Sequence, residues 1–99
     1  MLEYETLDTY ENVRFAINFC NHRSTRKEMI ELAREFKVPV RNVVSLEDYF
    51  RELYNVALDS VGRYWVEFID FASILHRSIE NGELKLVRTK NGFSVVKLY

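Results

Sequence analysis

The sequence predicts an α+β fold, mainly helical, with about four helices followed by a C-terminal β-hairpin in one small domain. Three observations predict it. Apolar residues recur at helical spacing through most of residues 8–80. Helix-start signatures stand at Asp8 or Thr9, at Thr25 with Glu28, and at Ser45. Two strand-like runs flank Asn91-Gly92 near the C-terminus. Ninety-nine residues allow a single domain with a real core. The apolar fraction of 47% and charged fraction of 29% fit an ordered globule and exclude a disordered tail.

Residues 1–7 read as an irregular lead-in or a short strand. The first helix is expected over 8–21, with Tyr10, Val13, Phe15, Ala16, Ile17, Phe19 and Cys20 as a broad apolar stripe. Thr25 and Glu28 have capping-box spacing, in which hydroxyl and carboxylate each satisfy an orphan amide. The helix they open buries Met29, Ile30, Leu32, Ala33 and Phe36. It ends near Phe36, because the residue before Pro39 is pushed out of the α region. A helix over 45–61 buries Leu46, Tyr49, Phe50, Leu53, Val56 and Ala57, with Gly62 as its stop. A fourth helix over 63–80 is apolar round most of its circumference, which marks it as central in the core or part of an oligomer interface. Asn81-Gly82 supplies its left-handed cap.

The tail over 84–99 is a hairpin whose register can be tested on paper. A two-residue Asn91-Gly92 loop mixes apolar and charged residues on both faces. A three-residue loop, Lys90-Asn91-Gly92, pairs Leu84 with Leu98 and Leu86 with Val96 on one face. Burial of one face fixes register, so the second is expected, with Gly92 left-handed and Lys85 opposite Lys97.

The net charge of −1 conceals segregation. Residues 22–42 carry six bases and three acids, and residues 84–99 carry four bases and no acid. Residues 43–83 carry eight acids and three bases. If the two basic segments meet in space they form a phosphate-attracting face. Solvated charge blocks are the competing reading.

Ile30 to Leu46 resembles a helix-turn-helix DNA-binding module, the whole unit running from Thr25 to Leu46. Leu32-Ala33, Phe36, Val38, Val43 and Leu46 occupy the apolar and small positions that bury its elbow. Lys37 stands where the family places Gly, Pro39 stands where it places a cap, and Ser45 is able to start a fresh helix. The resemblance implies base contacts from Arg41 and Asn42. It implies phosphate contacts from Arg26, Lys27 and Lys37, with Arg88 and Lys90 at the tip of a wing-like hairpin. Composition as a whole, free of Gln and rich in aromatics, looks like that of small orphan proteins of hyperthermophilic archaea and their viruses.

The sequence thus predicts a small DNA-binding protein of the transcriptional-regulator kind, with duplex DNA as partner. The alternative is a non-enzymatic interaction protein acting through acidic and aromatic helix faces. A homodimer is expected in either case, with Tyr54, Tyr64, Phe71 and Ile74 at its interface. Cys20, His22 and His76 have no metal-ligand spacing, and the isolated glycines form no phosphate loop. No enzyme activity, cofactor, metal or small-molecule substrate is expected. The single cysteine excludes an internal disulfide and favours a reducing compartment. The acidic N-terminal start argues against a secretory signal, and no apolar run suits a membrane span. A cytoplasmic location is expected, that of the host if the source is viral.

Overall fold

The computed structural model describes residues 3–99. Its elements are β1 (Tyr4–Leu7), α1 (Tyr10–Asn18), α2 (Arg26–Glu35), a single 3-10 turn (Val40–Asn42), β2 (Val43–Ser45), α3 (Leu46–Val66), α4 (Phe71–Glu80), β3 (Leu84–Thr89) and β4 (Phe93–Lys97). The expected α+β class, with helices preceding a C-terminal strand pair, is the one observed. The sheet is larger than a hairpin. Its order is β1-β3-β4-β2, and every pairing is antiparallel.

Both sheet faces are covered. On one face, Leu7, Leu84, Leu86, Phe93 and Val95 pack with Val13 and Ala16 of α1, Leu46 of α3, and Ala72 and Leu75 of α4. On the other, Val43, Val87 and Val96 pack against Leu32 and Ala33 of α2, with Met29 and Phe36 alongside. The hairpin is therefore the middle of a three-layer domain, between α2 and the remaining helices.

Two-sided burial changes the register. Leu84 pairs with Lys97, Lys85 with Val96, Leu86 with Val95 and Arg88 with Phe93. Lys90 and Asn91 form the loop. Both registers drawn from the sequence are displaced, the preferred one by a single residue. That choice required one apolar face, whereas Val87, Val95 and Val96 are all buried and alternate faces are both apolar. Lys85 and Lys97 do not oppose each other, because they project to opposite faces. Lys97 instead lies 5.9 Å from the Tyr49 ring centre and 4.0 Å from Glu52.

The capping predictions from sequence are realised at the helix starts. Thr9 Oγ1 accepts from the Asn12 amide at 3.2 Å. Thr25 and Glu28 close a full capping box. Lys37 follows α2 with φ +57°, the left-handed turn that its position requires. The expected second helix of the helix-turn-helix unit is not formed. Residues 40–42 make one 3-10 turn and residues 43–45 are β2, paired to β4. The physical reason is local and tertiary at once. Val43 and Val44 are β-branched and gain a two-faced sheet position, while the Ser45 hydroxyl caps α3 by accepting from the Asp48 amide at 3.2 Å.

The expected boundary between the third and fourth helices also moves. Gly62 takes φ +84° and ψ 166°, a kink that residues with a Cβ rarely adopt. The chain then makes another helical turn to Val66, and α4 starts only at Phe71, capped by Asp70. Tyr64, Trp65 and Phe68 are consequently outside the core.

Gly92 is needed for close approach, not for a left-handed turn. A Cβ there would lie 2.2 Å from the His22 carbonyl oxygen. The same carbonyl accepts from the Phe93 amide at 2.9 Å, tying the segment after α1 to the start of β4. Gly92→Ala and Gly92→Asn should both lower stability by about 1–3 kcal/mol, since each adds the same Cβ. Urea midpoints check this; Asn, which tolerates left-handed turns, would be nearly harmless if turn conformation alone demanded glycine.

Candidate functional site

The predicted DNA-contacting residues do not form one surface. Asn42 is tied down: its Nδ2 donates to the Lys97 carbonyl at 2.9 Å and to that of Tyr99 at 3.4 Å. Arg41 is exposed on the 3-10 turn, and Lys37 is exposed at the end of α2. Arg26 and Lys27 occupy the first turn of α2. Lys27 and Lys90 share a broad depression with Glu28, Glu31 and Glu35, so the local charge there is mixed. The two basic segments do meet, but acids lie between them. Arg88 packs over aromatic rings, 5.9 Å from the Phe15 ring centre and 5.8 Å from that of Phe93.

Segment 22–24, which joins these parts, is held by polar contacts. Ser24 and Thr89 share a buried hydroxyl hydrogen bond of 2.8 Å. Asn91 Nδ2 donates to Glu28 Oε1 at 3.1 Å, linking the hairpin loop to the capping box of α2. Burial pushes the Glu28 carboxyl up. Hydrogen bonds from the Thr25 amide, Asn91 and the Thr25 and Thr89 side chains outweigh that and hold it below the usual carboxylate value. Arg23 pairs with Glu47 at 3.2 Å and also with Asp48, anchoring the first turn of α3 beside this loop. These ion pairs are exposed and fix position more than stability.

The predicted interface residues divide into two groups. Phe71 lies 5.3 Å from Phe50 and 6.0 Å from Tyr54, ring centre to ring centre, so Tyr54 and Phe71 join α3 to α4 within one chain. Tyr64 and Ile74 are exposed. Trp65 and Phe68, on the helix face expected to be either central in the core or part of an oligomer interface, are exposed beside Tyr64.

The three rings form a knuckle at the end of α3. Tyr64 and Trp65 meet edge to face at 5.1 Å, Trp65 and Phe68 are 5.9 Å apart, and Tyr64 and Phe68 6.1 Å. Their exposures are 73%, 60% and 72% in chain order, while Val66 in their midst is fully buried. Val56, expected from its helical spacing to be buried, is exposed on α3, as is Val61, because no described element packs over that side of the helix. The connection from α3 to α4 fixes the knuckle in place. Asp70 Oδ1 caps α4 by accepting from the Ser73 amide at 3.2 Å, and its Oδ2 accepts from the Tyr10 hydroxyl at 2.6 Å. That Tyr10 bond, ahead of the cap, holds the Asp70 carboxyl below its ordinary value. The return of the chain is thus pinned to α1. Gly62 was legible as a break, but its effect in turning Tyr64, Trp65 and Phe68 outward was not.

No described helix is long and apolar enough to cross a membrane. Comparison with known proteins gives no matching family model, no matching curated protein and no matching solved structure.

The lowered Glu28 carboxyl gives a pH prediction. Its stabilising contribution is present above the ordinary carboxylate pKa and is lost as pH falls through the lower folded value. Glu28→Gln should flatten the acid limb of stability between about pH 5 and pH 2. Urea unfolding across that range measures it; parallel wild-type and variant curves would mean that Glu28 carries no such coupling.

Proposed function

We propose that this chain is a non-enzymatic interaction protein working through the exposed apolar face at the end of α3, and that this face joins two copies of the chain. The observation that carries the reading is the knuckle of Tyr64, Trp65 and Phe68, each well over half exposed and held against one another. Aromatic residues concentrate in interface cores, and contiguous exposed apolar surface marks association sites. Val56, Val61 and Ile74 add apolar area on the two helices that carry it.

A second copy suits this face electrostatically. Arg63 and Glu67 are the charged residues between 60 and 69, and they are opposite in sign. Two-fold pairing brings this same patch together from both copies, so Arg63 has an opposite charge, the partner's Glu67, available to meet. The whole chain carries only −1, which leaves little long-range repulsion between copies. The duplex-DNA reading has weaker support. Asn42 is engaged with backbone carbonyls, and Lys27 lies in the mixed-charge depression beside α2.

Light scattering should give twice the monomer mass at micromolar concentration. Trp65→Ser combined with Phe68→Ser should give a monomer that keeps its circular dichroism. Each buried aromatic anchor contributes about 2 kcal/mol or more to such an interface. A monomeric wild type, or a double variant that still dimerises, would overturn the reading.

A further inference from the structure

A second aromatic surface lies on the other side of the fold, at the hairpin loop. Phe15 and Phe19, one helical turn apart at the end of α1, stand 4.8 Å apart and are 46% and 43% exposed. With His22, Arg88, Lys90 and the buried ring of Phe93 they line a cleft of about 210 Å³. Thr89, Asn91 and Gly92 complete it, and no carboxylate lines it. Among the described residues neither Arg88 nor Lys90 forms an ion pair. Glu5 is opposite Arg88 across β1 and β3, yet the two are not within ion-pair distance.

We infer that this cleft binds single-stranded nucleic acid, stacking one base on Phe15 and Phe19 and holding the adjoining phosphate with Arg88 and Lys90. Three features select that chemistry. Exposed rings accept any base by its π face. A guanidinium packed near two rings keeps its N–H donors at its edge for an anion. No carboxylate lines the cleft itself, and the acids nearest to Lys90 lie in the neighbouring depression, so Arg88 is its dominant charge and Lys90 borders both surfaces. At about 210 Å³, below the roughly 300–1,000 Å³ of pockets that enclose drug-sized ligands, the cleft has room for a single flat group such as one base. A duplex keeps its internal bases stacked and offers the rings a free face only at its ends. This site shares no residue with the proposed self-association face and does not rest on it.

The test is fluorescence anisotropy of a short labelled oligothymidylate in low salt, with thymidine monophosphate and a blunt duplex as competitors. The oligothymidylate should bind. With two phosphates neutralised, log affinity should fall with log salt at a slope of about −1.4. Phe19→Ala should weaken binding about tenfold or more through lost stacking. Arg88→Gln and Lys90→Gln should each weaken it and reduce the salt slope. Lys85→Gln, on the opposite sheet face, should change neither. Circular dichroism confirms that each variant is folded, and Phe15→Leu provides a second stacking variant. No binding to the strand overturns the inference, as does equal competition by the duplex. Competition by the mononucleotide at equal molar affinity also overturns it, assigning the cleft to a free nucleotide. Loss of binding in the Trp65→Ser, Phe68→Ser monomer would overturn the independence of the two sites.

Discussion

Burial of the β3–β4 pair on both faces is the constraint that organises the molecule. A strand pair covered on one side leaves polar residues at alternate positions. Here Leu86, Val87, Val95 and Val96 are all fully buried, so α2 must cover one face and α1, α3 and α4 the other. Short flanking strands then complete the sheet. β1 and β2 are four and three residues long, which limits the unpaired edge each exposes. The same arrangement removes the projecting wing that the sequence implied. Only Lys90 and Asn91 extend beyond the paired strands, and Asn91 is bound to Glu28.

The exposed knuckle arises from a mismatch of lengths. The six residues of β3 span about 20 Å. The 21 residues of α3 would span about 31 Å if unbroken. The first turn of α3 is anchored beside the hairpin loop by Arg23, so the excess must run past the sheet at the far end. The elongated shape, 45 × 23 × 23 Å, fits that overhang. Gly62 bends the overhang and the Tyr10–Asp70 hydrogen bond ties the start of α4 to α1, with the aromatic residues between them outside the core. Among the described residues no further layer covers them.

The features legible in the sequence were local. The Thr9, Thr25 and Ser45 caps and the capping box depend on residues within one turn of each other, and the structure realises them. The inward face of α2 was readable for the same reason. β2 was not, because Val43 and Val44 fit an apolar helix position and a strand position equally well; pairing with β4, more than 50 residues away in the chain, decides between them. Register was lost for a related reason. Alternation carries information only when one face is wet, and the sequence does not say that α2 returns across the second face. Gly92 looked like a turn residue because the segment that crowds it, His22–Arg23, is remote in sequence.

The aromatic residues show where pattern reading stops and where chemistry takes over. At about 100° per residue, Val13, Ala16, Ile17 and Cys20 share one side of α1 while Phe15 and Phe19 fall on the far side. That separation was available in the sequence and would have kept the two phenylalanines out of the core. It would not have told their surface apart from the one made by Trp65 and Phe68. The neighbours do that. Around Trp65 the nearest charges in sequence, Arg63 and Glu67, cancel, and such a surface gains from excluding water against another apolar surface. Beside Phe15 and Phe19 the charges are Arg88 and Lys90 with no lining carboxylate, and such a surface gains from a ligand that brings both a flat face and a negative charge. Hydrophobicity marks both patches equally; the sign of the charge brought beside each by the fold is what separates an interface from a binding cleft.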